Sequence, residues 1–159
     1  MRMLIPLLVL VAACAPAPPT VTGRASVIDG DTLEIHGQRI RLWGVDAPEG
    51  RQSCEDALGA TYACGRIAAN RLDRRLQGKT VSCFEQDRDR YGRMVARCET
   101  GGEDVGAWLV RQGLAVRYVR YSGAAYLVEE AAARREKAGV WAGTFTMPEQ
   151  WRRERRGGG

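Results

Sequence analysis

Three short segments of acids and arginines stand out in a chain whose single histidine is His36. The first is Val27-Ile28-Asp29-Gly30-Asp31-Thr32, two acids about a glycine. The second is Ile40-Arg41-Leu42-Trp43-Gly44-Val45-Asp46-Ala47-Pro48-Glu49, and the third is Asp89-Arg90-Tyr91-Gly92-Arg93. Taken singly each is ordinary: Asp-Gly-Asp and Asp-Arg-Tyr-Gly-Arg are turn sequences, and Asp-Ala-Pro-Glu ends a strand. Taken together they supply carboxylates that hold a hard cation or accept a proton, and guanidinium forks that grip a phosphate. A histidine-based hydrolase or a zinc enzyme needs a histidine beside its nucleophile or metal. His36 precedes Gly37 and reads as a turn residue, so hydrolysis here falls to carboxylates, arginines and a hard metal ion.

The elements that must position these groups are mostly strands. Val21 to Ile28 reads as a first strand, Thr32 to Ile35 as a second and Arg39 to Val45 as a third, with a tight turn at His36-Gly37. Alternation along the third strand puts Arg41, Trp43 and Val45 on one face and Leu42, Gly44 and Asp46 on the other. Pro48 to Ala63 reads as a loop. A helix follows over Tyr62 to Gln77, with Ala68, Leu72 and Leu76 on one face, Ile67 beside them, and Gly78 as its stop. Thr80 to Glu85 and Met94 to Cys98 are strands joined by the Gln86 to Arg93 loop. Asp104 caps a helix that ends at Gly113, and a last helix runs from about Ala125 to Lys137. Five strands, one helix after the third and helices at the end fit a mainly β, α+β architecture. It is a five-stranded Greek-key barrel of the OB type with three packed α-helices.

With the segments in this order among these strands, the chain resembles the thermonuclease, or staphylococcal nuclease, family from about Thr22 to Gly143. Leu109-Val110-Arg111-Gln112-Gly113-Leu114-Ala115 and Glu136-Lys137-Ala138-Gly139-Val140-Trp141 carry the likeness further. The resemblance implies that Asp31 and Asp46 bind Ca2+ with the backbone carbonyl of Ala47, and that Asp29 supports them, its alternative role being to cap the turn. It implies Glu49 as the proposed general base and Arg41 and Arg93 as the pair that stabilises the phosphoryl transition state. Arg90, Tyr91, Tyr118 and Arg120 match nucleotide-binding positions, Arg120 where the family has a second tyrosine, with Tyr121 next to it. Tyr126 reads instead as helix-edge packing. The implied activity is a calcium-dependent, sugar-nonspecific endonuclease that cuts DNA and RNA, prefers single-stranded or flexible regions and leaves 3′-phosphate ends. The alternative is an OB-fold nucleic-acid-binding lipoprotein of negligible turnover. A purely structural envelope lipoprotein explains none of the three charged segments.

At 159 residues and 45% hydrophobic content the chain has room for one domain with a real core. Residues 1–13 read as an export signal: a basic start, then an apolar run too short to span a bilayer. Val11-Ala12-Ala13-Cys14 resembles a lipobox, which makes Cys14 the lipidation site, residues 14–20 a Pro/Ala-rich tether and 21–145 the folded domain. An ordinary cleaved signal is the alternative. The expected location is the bacterial envelope, through a lipidated Cys14 at a membrane, as a monomer. The other cysteines, Cys54, Cys64, Cys83 and Cys98, are an even set in an exported domain and read as disulfides. Cys83 and Cys98 flank the Asp89–Gly92 turn symmetrically, which leaves Cys54 for Cys64; no pair has the spacing of a zinc ribbon. The net charge of +5 comes from basic residues that are all arginine except Lys79 and Lys137. It permits a polyanionic partner without requiring one. Residues 146–159 read as a solvated, partly disordered basic tail, with groove binding as the alternative.

Overall fold

The computed structural model describes residues 19–157. The proposed export signal, Cys14 and most of the tether lie outside the described residues. Among those described, no helix is long and apolar enough to cross a membrane.

The chain opens with β1 (Val21–Arg24) and β2 (Ser26–Asp29), then β3 (Thr32–Ile35) and β4 (Gln38–Leu42). A single first strand is expected over residues 21–28. Instead, Ala25 separates β1, which pairs with β8 (Thr80–Arg88), from β2, which pairs with β3. The sheet runs β1-β8-β9-β4-β3-β2, with β9 (Met94–Thr100) parallel to β4. Since β1 and β2 are consecutive in the chain but stand at opposite ends of this order, the sheet must curl on itself. The result is a curled half-barrel compatible with the expected OB-type architecture.

Residues 36 and 37 turn the β3–β4 hairpin with φ of 53° and 77°, the double positive φ that a two-residue primed turn requires. The third expected strand is also divided. β4 ends at Leu42, and Val45–Asp46 forms β5, which pairs with β11 (Val116–Arg117). Inside the 48–63 loop, β6 (Cys54–Glu55) and β7 (Thr61–Tyr62) make a minimal hairpin. The two-residue β10 (Glu103–Asp104) lies on β9.

Helix α1 (Cys64–Leu76) buries Ala68, Leu72 and Leu76 against the sheet, at the expected four-residue spacing, while Ile67 is exposed. Asp104 caps α2 (Val105–Arg111), its carboxylate accepting from the Ala107 amide at 2.9 Å. The core joins Leu33, Ile35, Ile40 and Leu42 from the sheet to Leu72 of α1 and Leu109 of α2. A short α3 (Val119–Ser122) and α4 (Leu127–Arg135) follow, and then a 3-10 turn at Gly139–Ala142. The expected five strands and three helices are thus corrected to eleven strands and five α-helices among the described residues. The excess comes from the breaks at Ala25 and Trp43-Gly44, from two-residue pairings too short to leave a periodicity, and from α3 and α5.

That fifth helix, α5 (Pro148–Gly157), occupies the segment whose composition predicts a solvated, partly disordered tail. Proline starts it, Glu149 lies in its first turn and Arg155 and Arg156 in its last, which suits the helix dipole. The pairs Glu149–Arg153 and Gln150–Glu154 link successive turns. High charge masked this pattern of helix signals.

Disulfides join Cys54 to Cys64 (S–S 2.02 Å) and Cys83 to Cys98 (2.03 Å). The second pair are direct partners in the β8–β9 register, and both are buried in the core. The first anchors a smaller cluster with Val140, Trp141 and Phe145, which ties the 48–63 loop to the chain leading into α5.

Candidate active site

A cavity of about 710 Å³ opens where the β2–β3 turn, the end of β4, the β8–β9 loop, α3 and α5 meet. Asp31, Arg41, Glu49 and Arg93 line it, and Asp46 lies buried just beneath.

The two aspartates come together because the third strand does not continue. Strict alternation would keep Arg41 and Asp46 on opposite faces. Gly44 takes φ +75°, a conformation costly for any residue with a Cβ, and turns the chain between β4 and β5. A Cβ there would also meet the Ser122 Cβ at 2.9 Å. The turn brings Asp46 round to the side of Arg41, whose Nη2 lies 3.2 Å from Asp46 Oδ1 and 3.4 Å from Asp31 Oδ2. The expected separation of faces is therefore corrected by one positive-φ glycine.

Asp31 is 6% exposed and Asp46 2%. Asp29 accepts from the Asp31 amide at 3.1 Å and so shapes the turn. Burial, and then the neighbouring Asp31, push the Asp29 carboxyl up to about 6. Burial also raises Asp46, against the pull of Arg152 and Arg41. Burial alone would lower Arg41, but the Asp31 and Asp46 carboxylates outweigh it and hold the guanidinium above its usual range. The Ala47 amide donates to Asp31 Oδ2 at 3.2 Å.

Glu49 is held by its backbone. Its amide donates to Gln52 Oε1 at 3.2 Å, its carbonyl accepts from the Gln52 amide at 2.7 Å, and Gln52 Nε2 reaches Thr146 O at 2.6 Å. Gln52 is wholly buried. Underneath, Gly65 in the first turn of α1 has no room for a side chain: a Cβ would stand 1.8 Å from the Glu49 carbonyl oxygen.

Arg93 enters from the end of the β8–β9 loop, just before β9, the strand that runs parallel beside β4. Asp89 binds its Nε at 2.6 Å and, through its other oxygen, the Tyr91 and Arg93 amides at 2.9 and 3.0 Å. One aspartate thus closes the loop and aims the arginine. Tyr118 contributes a ring 6.0 Å from the Arg41 guanidinium and edge-to-face with Tyr121 at 4.8 Å. Arg90, Tyr91, Arg120 and Tyr121 complete the rim, with Arg90 over the Tyr91 ring at 4.9 Å. Tyr126 is outside the cavity: its ring packs on Trp43 and its hydroxyl bonds Asp104 at 3.0 Å.

Two residues of this site escaped sequence reasoning. Arg152 of α5 sets Nη1 2.8 Å from both Asp46 Oδ1 and Glu49 Oε1, and Nη2 3.0 Å from Asp46 Oδ2. The only signal for it was the helix start at Pro148-Glu149. Gln52 had none, because a glutamine in a loop carries no periodicity.

The donor set suits a hard cation: two aspartates converge on one guanidinium nitrogen, with oxygen atoms only and no thiolate or imidazole beside them. Among the described residues no group of three or more His, Cys, Asp or Glu forms a metal-binding cluster, so the site supplies few charged ligands.

The model described as staphylococcal nuclease homologue matches residues 39–143. The succinoglycan biosynthesis protein ExoI of Rhizobium meliloti (strain 1021) is 43% identical over 129 residues, 80% of this chain and 68% of that protein. An uncharacterized endonuclease of Escherichia coli O157:H7 is 33% identical over 155 residues, covering 93% of this chain and 95% of its own. The staphylococcal-like nuclease CAN1 of Arabidopsis thaliana is 34% identical over 122 residues, 76% of this chain but 35% of that longer protein.

Proposed function

The chain belongs to the staphylococcal nuclease homologue family, and from that premise we propose that it is a calcium-dependent endonuclease hydrolysing phosphodiester bonds of DNA and RNA. The observation that carries the proposal is the shared cavity of Asp31, Arg41, Glu49 and Arg93, with Asp46 bonded to Arg41 from below. Relatives named endonuclease and nuclease, one of them matched over nearly its whole length, support the same reaction class.

Asp31 and Asp46, with the Ala47 carbonyl, would hold the cation; when bound, it supplies positive charge that polarises the phosphate. Glu49 accepts a proton from the water that attacks phosphorus. Arg41 on β4 and Arg93 just before the neighbouring β9 line the same cavity, so two fixed forks can meet the charge that grows on the phosphoryl oxygens. The bond to the 5′ oxygen breaks, which leaves a 3′-phosphate end. Tyr91, Tyr118 and Tyr121, interleaved with Arg90 and Arg120, offer faces on which unpaired bases stack, which favours single-stranded regions of either sugar type. A bacterial envelope location with lipidation at Cys14, as a monomer, belongs to the same proposal. The two disulfides support an oxidising compartment.

The test incubates the purified, oxidised protein with denatured DNA and calcium, with chelator and a Glu49→Gln variant as controls. Calcium-dependent cleavage absent from both controls is expected. Binding without cleavage above the variant would replace the enzyme with the binding-only alternative.

A further inference from the structure

Helix α5 lies beyond residues 39–143, the stretch that the family model matches, yet it delivers a charged group to the centre of the site. The Arg152 fork takes both oxygens of Asp46 and shares one of its nitrogens with Glu49. Its side chain is 20% exposed, so these contacts are partly screened from water. Asp46 Oδ1 also accepts from Arg41 at 3.2 Å. A carboxylate oxygen has two lone-pair directions, and both of those on Oδ1 are engaged. A divalent cation cannot take that oxygen until one guanidinium leaves. Arg41 rises from within the sheet and also bonds Asp31, whereas Arg152 stands on a terminal helix.

The helix is lightly attached. Within α5 only Pro148 is buried, Glu149, Trp151 and Arg152 are half-buried, the rest is exposed, and a ten-residue helix has little stability of its own. The ion pairs of Arg152 join Pro148 and the half-buried Trp151 in holding it down.

We propose that α5 is a self-blocking element: Arg152 occupies the seat formed by Asp46 and Glu49, so helix docking and divalent-cation binding exclude one another. Because docking and cation binding share one seat, the helix weakens apparent cation affinity by its docked-to-free ratio, and cation binding lifts the helix. Lifting also frees Glu49 to accept a proton. This rests on the proposal that Asp46 faces the cation, and the tests below separate the two.

Calcium binding to the full chain is measured by calorimetry for the wild type, for Arg152→Gln, for a chain ending at Met147, and for Arg155→Gln. Arg155 stacks on Trp151 at 4.8 Å and does not touch the carboxylates. Amide exchange in α5 is followed with and without calcium. Affinity at least about tenfold higher for Arg152→Gln and for the shortened chain is expected, with Arg155→Gln unchanged and α5 amides losing protection as calcium binds. Calcium that binds wild type and Arg152→Gln equally, with α5 still protected, overturns the self-blocking helix and leaves the metal site standing. Calcium that binds none of the four proteins overturns both. Loss of nucleic-acid affinity in Arg152→Gln at unchanged calcium affinity also overturns it and makes Arg152 a phosphate contact.

Discussion

Arg41 and Arg93 reach the same cavity on different supports, Arg41 from a strand between two buried aspartates and Arg93 from a loop tied by Asp89. A lysine offers a point charge where each fork now makes directed bonds. Arg41→Lys or Arg93→Lys should therefore lower kcat by at least about 10²-fold, a loss typical of removing one transition-state donor, measured by steady-state cleavage of denatured DNA. Gln52 fixes the backbone that carries Glu49, while Arg152 bonds its carboxylate. Gln52→Ala should lower kcat while leaving KM within about threefold, whereas loss of nucleic-acid binding would mean that Gln52 holds more than Glu49. Burial alone would raise Asp89, but bonds from Arg93 and two amides more than offset it and hold the carboxyl below its ordinary value. A group lowered in the folded state lends stability above its unfolded value, about 3.9, and loses it as pH falls through the folded one. The Asp89 carboxyl should accordingly titrate below about 3.9 by NMR, and move up in Arg93→Ala.

At the scale of elements, the site depends on backbone turns that glycine makes available. Gly44→Ala forces a Cβ into positive φ and toward Ser122, at a cost of about 1–2 kcal/mol or more in denaturant unfolding. Since that turn brings Asp46 to Arg41, calcium affinity should fall as well. A variant of normal stability and affinity would show that the β4–β5 turn does not position Asp46. The chemistry-bearing segments were legible through their combination and order: Asp-Gly-Asp, Asp-Ala-Pro-Glu and Asp-Arg-Tyr-Gly-Arg are each ordinary alone, but together among these strands they exceed what turns need. So were α1, through Ala68, Leu72 and Leu76, and the His36-Gly37 turn. Strand continuity through residue 44 was not, because alternation of apolar and polar residues does not register a single reversal of direction.

For the molecule as a whole, the Cys83–Cys98 bond spans 15 residues of hairpin whose loop carries Arg93. Replacing both cysteines with serine should cost about 2–4 kcal/mol by denaturant unfolding, within the usual range for a loop of this size. Residue types and short-range patterns settled the mixed α+β class, the buried face of α1 and the Asp104 cap of α2, and which carboxylates and arginines were candidates, since these follow from neighbours within a few positions. The start of α1, expected at Tyr62, falls instead at Cys64 because Thr61–Tyr62 pairs as β7. Only tertiary structure decided that Arg41 and Asp46 meet across Gly44, that Gln52 clamps the Glu49 turn, and that Arg152, more than a hundred residues along the chain, lies on both Asp46 and Glu49. Such contacts join groups far apart in the chain, and their energy depends on burial and direction, which no local pattern encodes.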